Sequence, residues 1–373
     1  MKISLNYRLI ILLALLCILG VREVALELRP SYLSSGMHLF AYVANAGDGT
    51  LAAIDLVKLA PVATISVGEE PVSVRSHPFR KEIWGLSAAG GYAWILDAPA
   101  SRIVARIPLG SEPSSLDFSP DGTRAYAAVP GSGAVEAIEC ATRQVVARAR
   151  TGGRPSQVRV SPDGKRIVVS DRERSEVFIL DAATLSTLGA VPVAPDPGQI
   201  VILPDSSKAF VASSSTNEVS AVDLKRKELV ANLVLGGKPD DMVLKPDGGE
   251  LYITSGSAHG LLIVNTQTNE VADFFLLGMQ PSTATLSDDG STLYVSDLAA
   301  ARVIPVAIVT RQTGGPISVG QGPQACQLTP GNDMLLVVDT LSDDLAVIRS
   351  RTGSLITLIS TGSRPSDLAV KTF

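Results

Sequence analysis

The apolar residues of this chain fall in short runs of four to seven, not at the i, i+3, i+4 spacing of an amphipathic helix. Between Pro113 and Arg154 four runs follow one another, at 114–118, 124–129, 134–139 and 145–149, each rich in Val, Ile, Leu, Ala or Tyr. Turn residues separate them. Ser119-Pro120-Asp121-Gly122 closes the first run, a Gly-rich gap at 130–133 closes the second, and Gly152-Gly153-Arg154 closes the fourth. Proline pre-sets φ for the second position of a tight turn and glycine relieves its end, so these are strand boundaries with a mechanism. The pattern predicts four strands and none of the longer helical stretches a βαβ unit requires.

The unit repeats. Pro71, Pro113, Pro155, Pro197, Pro239, Pro281, Pro323 and Pro365 are spaced by 42 residues throughout, although the chain holds only 23 prolines in 373 residues. Most of these prolines close a Gly-x-x-Pro turn, as Gly68 to Pro71 does; Ala194 takes the glycine place before Pro197. A four-stranded unit of this length, repeated in tandem, predicts the blades of an all-β propeller. One such sheet cannot bury both faces; radial stacking buries them and ring closure protects the edges. Seven complete units run from Pro71 to Arg364. Residues 39–44, 51–56 and 62–67 match strands two to four of a further blade, and 366–371 match its strand one. The expectation is an eight-bladed ring of antiparallel sheets, with seven as the alternative. The C-terminal strand is expected to close it as the innermost strand of the N-terminal blade.

The second strands read Ala41-Tyr42-Val43-Ala44-Asn45 and Leu293-Tyr294-Val295-Ser296-Asp297, and third strands end in Ile54-Asp55, Leu180-Asp181 and Val222-Asp223. With the two turn motifs at a 42-residue period, the chain resembles the YVTN-type β-propeller repeat family over residues 38–373. The resemblance implies an exported, surface or periplasmic protein that acts as a binding scaffold. Members commonly carry seven blades, so the expected eight is a departure.

Lys2 and Arg8 precede an eleven-residue apolar run, 9–19, too short for a comfortable span of roughly 20 residues. The division expected is an export signal or N-terminal anchor at 1–25, a tether at 26–37 and the propeller at 38–373, placed in the periplasm or outside the cell. Cys17 raises a lipoprotein reading, which the preceding Leu16 opposes because it is not small. Net charge is −5, which argues against a global nucleic-acid footprint. Cys140 and Cys326 sit three blades apart, too far to bridge, and are expected to be small buried hydrophobes.

Strand one of each blade should line the channel. Residues three after each proline are apolar in every copy, from Val74 to Leu368, and should pack between blades. Residues two and four after it are mostly polar and should border the channel. Among them Arg75, Asp117 and Arg159 come from consecutive blades at one level, a cluster able to face a carboxylate or phosphate or to form a structural ion-pair network. Asp241 and Asp367 join Asp117 as channel carboxylates. Loops between strands two and three share a rim with the Gly-x-x-Pro turns. They include Asp171-Arg172-Glu173-Arg174 and Asp343-Asp344, and function on rigid scaffolds tends to sit on such loops.

Catalytic signals are sparse. His38, His77 and His259 have no metal-ligand spacing, Trp84 and Trp94 fall in one blade, and there is no nucleophile elbow, Walker loop or EF-hand loop. The ligand-binding candidates are therefore Arg75, Asp117, Arg159, Asp241, Asp367, Asp171 and Arg172, with no catalytic residue, metal or cofactor expected. The partner expected is an envelope or extracellular protein, a peptide or a glycan. A nucleic-acid strand is a further option that net charge does not indicate, and membrane contact would come only through an uncleaved anchor. The competing expectation is a propeller enzyme, either a lactonase-like hydrolase using Asp117, Asp241 and Asp367 or a cofactor-bearing dehydrogenase subunit.

Overall fold

The computed structural model describes residues 38–373, and Leu39–Phe373 form one compact unit. The expected export signal and tether lie outside the described residues. The described residues form eight sheets, each with strands in antiparallel order from the innermost outward. Blades 1 to 7 begin at Pro71, Pro113, Pro155, Pro197, Pro239, Pro281 and Pro323, and blade 8 is shared between the two ends. In blade 8 the C-terminal strand Pro365–Thr372 pairs with Leu39–Asn45, from Leu39 opposite Thr372 to Asn45 opposite Pro365. Phe40 and Phe373 stack with ring centroids 5.2 Å apart beside this seam.

The turn chemistry explains why the strands end where they do. Asp121 Oδ1 accepts from Ser119 Oγ at 2.6 Å and from the Thr123 amide at 3.0 Å, while Gly122 takes a φ of 66°. Ser161 with Asp163 and Ser287 with Asp289 repeat the first bond at 2.6 Å. Blade 6 departs from the pattern. Its outer strand is broken into Gln312–Thr313 and Ile317–Ser318, because Gly314, Gly315 and Pro316 intervene and proline has no amide for the ladder.

The core is distributed between blades. Trp84 and Leu86 of blade 1 pack with Leu116, Phe118 and Ile138 of blade 2. Trp94 packs to the other side, with Tyr42 and Leu51 of blade 8. The tyrosines of the second strands add a directional hook. Tyr42 donates to the Ala98 carbonyl, Tyr126 to Ala182 and Tyr294 to Ser350, in each case 56 residues ahead in the next blade. A buried phenol needs such an acceptor; Tyr252 of blade 5 finds Glu250 in its own strand instead, at 2.6 Å, and blade 4 carries Phe210 at this position with no hook.

Deleting residues 366–373 removes the closing strand and exposes the inner edge of blade 8. The expected loss is about 4 kcal/mol or more, beyond an ordinary point mutation. Chemical denaturation checks it; a truncated chain with an unchanged midpoint would refute the closure.

Candidate functional site

Inner strands position the channel residues. In each antiparallel pair the residues two and four after the proline bond to the second strand, so the amides three and five after it point away from that strand. Those amides need acceptors, and the preceding blade supplies them. The Val74 amide donates to Asp367 Oδ2 at 2.8 Å, Leu116 to Ser73 Oγ at 2.9 Å, and Val158 to Ser115 Oγ at 3.3 Å. Ile200 donates to Gln157 Oε1, Met242 to Gln199 Oε1 at 2.8 Å, and Ala284 to Asp241 Oδ2 at 2.8 Å. Six of eight blade interfaces therefore carry one repeated cap, with the acceptor 43 residues from the donor or across the chain ends. Ser73 and Ser115, expected to border the channel, are buried in this ladder.

The five charged channel residues are brought into one electrostatic field, and their roles differ. Burial, then the Arg75 guanidinium, pushes the Arg159 guanidinium down, while Asp117, Asp367 and Asp241 pull it the other way. Asp117 spends Oδ2 on the Val160 amide of the next blade at 2.9 Å. Asp241 accepts from Gln199, the Met242 amide, Thr283 and the Ala284 amide. Burial pushes its carboxyl up against those bonds. Asp367 holds the Val74 amide and lies 3.4 Å from Arg75 Nη1. Beyond this pair, Arg75 and Arg159 bond only to the carbonyls of Val74 and Val158. The carboxylates are ring struts, whereas the guanidinium forks keep unused donors.

The ladder breaks between blades 6 and 8. Thr283 turns its hydroxyl to Asp241 Oδ2 at 3.1 Å and stands 3.9 Å from Cys326 Sγ, leaving the Cys326 amide uncapped. Ala325 has no acceptor to offer Leu368, whose amide bonds to its own neighbour Asp367 at 2.9 Å. A cavity of about 450 Å³ opens at this break, lined by Arg75, Asp241, Thr283, Cys326, Gln327 and Asp367 among others. Cys326 is thus only partly buried, where full burial was expected, because its small neighbours leave space at the cavity. Burial and the Asp241 charge hold its thiol up at about 12, so it stays protonated and unreactive. Asp241 and Thr283 also border a mouth of about 410 Å³. Asp240 and Gln280 join that mouth to a rim groove of about 370 Å³ holding Lys238, His259 and Met279.

The rim candidates separate. Asp171 is fully buried, and its Oδ1 accepts the Arg154 amide at 2.8 Å and the Arg174 amide at 3.2 Å. It clamps a Gly-x-x-Pro turn and is not a solvent-facing loop residue. Arg172 stays half-exposed, 3.5 Å from Asp196. His77 accepts the Phe79 and Arg80 amides at Nδ1, which leaves the proton on Nε2 for the Gly122 carbonyl. Burial pushes its pKa down, so it is a neutral turn brace. Among the described residues, no three His, Cys, Asp or Glu side chains are grouped as a metal set.

One pair escaped the sequence reading. Asp339 is the blade 7 counterpart of Asp171 and holds the Gly320 amide at 3.0 Å. Its cross-strand partner is Asp344, where blade 6 has an Asp297–Arg302 ion pair at 3.0 Å. Burial, then the bond to Asp344, pushes the Asp339 carboxyl up from 3.8 to about 8. The signal was a 42-residue comparison of the second- and third-strand termini, which shows Asp facing Asp where Arg stands one blade earlier.

A carboxyl raised on folding stabilises fully below its unfolded pKa, and that contribution is lost as pH rises to the folded value. Between about pH 4 and pH 8 the Asp339 pair should lower stability by up to about 1.4 kcal/mol per pH unit. Asp339→Asn keeps an acceptor for Gly320 and a donor for Asp344, and should flatten that slope. Urea midpoints across pH check this; parallel profiles for variant and parent would refute it.

With this geometry in hand, comparison places the fold. A dihydro-heme d1 dehydrogenase, NirN, solved in complex with DHE, is similar at 15% identity and a TM-score of 0.78, covering 92% of this chain and 77% of that one. Hydrazine synthase of Kuenenia stuttgartiensis is similar at 18% identity and a TM-score of 0.60, covering 75% and 95%. A functionally unknown protein from Desulfotomaculum acetoxidans DSM 771 follows at 15% identity and 0.60, covering 89% and 98%. At these identities the likeness is one of fold. No curated protein matches the chain. The profile that matches is not named for the YVTN repeat; it spans residues 21–292, most of the chain, and the protein belongs to the YNCE-like beta-propeller family.

Proposed function

We propose that the protein is an exported, non-catalytic binding propeller that takes an acidic group of its partner into the channel mouth. One observation carries the reading. The channel carboxylates are consumed as caps for the next blade, while Arg75 and Arg159 keep free guanidinium donors in a shared, partly desolvated field. Carboxylates engaged in this way are poorly placed for acid–base chemistry, and guanidinium forks suit carboxylate recognition. The Gly-x-x-Pro rim, with Arg172, would supply the surrounding contacts. The partner class in view is an envelope or extracellular protein, a peptide or a glycan. Export rests on Lys2, Arg8 and the apolar run 9–19.

A second reading, a cofactor-bearing enzyme, is favoured by His259, whose Nδ1 is held by a backbone carbonyl so that Nε2 is left to face the rim groove. His259 Nδ1 bonds to the Met279 carbonyl on a groove continuous with the channel mouth. One structural neighbour is a dihydro-heme d1 dehydrogenase in complex with DHE.

Thermal-shift screening of the full-length chain against acidic peptides, glycans, single-stranded DNA and haem separates the two. A ligand at about 100 times its Kd stabilises by roughly 2.7 kcal/mol. The binding reading expects stabilisation by an acidic partner, with Arg159→Gln costing about 1.5–3 kcal/mol of affinity. Binding indifferent to both arginines would overturn it. A haem absorbance shift lost in His259→Ala would establish the second reading.

A further inference from the structure

We propose that the gap in the inner ladder is one half of a dicarboxylate site, whose other half is the Arg75 guanidinium. This rests on the reading of the channel mouth as the recognition site and names its ligand class.

Donors and acceptors around the cavity do not balance. Both oxygens of Asp241 already accept two bonds each. Asp367 is held by the Val74 and Leu368 amides and by Arg75. Donors remain in excess. The Cys326 amide points away from its second strand and has no cap, because Thr283 is diverted to Asp241. The Arg75 fork uses one terminal nitrogen, on the Val74 carbonyl, and Asp367 shares it. The Gln327 side chain lines the same space. A ligand that restores the balance must bring acceptors.

It must bring them at two places. Cys326 lies in blade 7 and Arg75 in blade 1, with blade 8 between them, yet both line the one cavity of about 450 Å³. That volume is within the range of about 300–1,000 Å³ for small-molecule sites. One carboxylate occupies one station, so a ligand that meets both must carry two. The break is also local to this place. Ser73, Ser115, Gln157, Gln199, Asp241 and Asp367 cap the next amide at the equivalent position, and only Thr283 and Ala325 do not.

The test is calorimetry on the full-length chain with succinate, acetate and 1,4-diaminobutane. Succinate should bind about tenfold or more tightly than acetate. Thr283→Gln supplies the side chain that caps the equivalent amide from Gln157 and Gln199, and should reduce succinate to the affinity of acetate. Ala325→Gln fills the cavity from the next blade and should do the same while raising Tm by about 1–2 °C without ligand. Arg75→Gln should weaken both acids. If succinate and acetate bind equally and neither glutamine variant changes that, the dicarboxylate site is wrong while arginine-dependent partner binding can still stand. Absence of any succinate binding overturns the proposal, as does stabilisation by 1,4-diaminobutane in its place, which would make Asp241 and Asp367 the ligands. Loss of acidic-partner binding in no arginine variant would instead overturn the underlying reading.

Discussion

The ring depends on a single repeated contact, a polar side chain of one inner strand accepting the free amide of the next. Sheet geometry creates the need for it. An innermost strand has a partner on one side only, so every second amide faces away from the sheet. Leaving such a donor unpaired in a desolvated place costs about 1–3 kcal/mol. At six of the eight blade boundaries the residue two places after the phased proline meets that cost, Asp367 doing so across the chain ends. Apolar packing between sheets is larger in area but has no direction. The amide caps and the tyrosine hooks set the register of one blade on the next.

This constraint limits the chemistry of the channel. A carboxylate fixed by backbone amides is a strut, and moving it to serve a reaction would unpair the neighbouring blade. The ionised groups with spare hydrogen-bonding capacity are the arginines, at the same position of blades 1 and 3. Where the caps fail, at Thr283 and Ala325, the same logic that closes the ring elsewhere opens a cavity. Structural economy and candidate recognition are thus two outcomes of one position in the repeat.

Much of the fold was legible because a propeller writes its architecture in one dimension. The eight prolines marked the blades, the Ser-Pro-Asp-Gly turns marked strand ends, and the complementary termini announced the split blade. The channel face was legible only in part. Alternation placed Arg75, Asp117 and Arg159 on one wall, but it could not show that Asp117 reaches forward to Val160. Asp171 read as a charged loop residue because strand and loop meet there, and only the turn opposite reveals it as a buried clamp. Cys326 read as core because its position is apolar in every copy. Its exposure follows from the small side chains of Ala325 and Thr283, a property of neighbours 42 residues apart.

Residue-resolved amide hydrogen exchange under native conditions reads the caps one amide at a time. Exchange protection reports local pairing of each backbone donor. Slow exchange is expected for the amides of Val74, Leu116, Val158, Ile200, Met242 and Ala284, and markedly faster exchange for Cys326 at the same level of the ring. A Cys326 amide as protected as the other six, in the absence of any ligand, would contradict the break in the ladder.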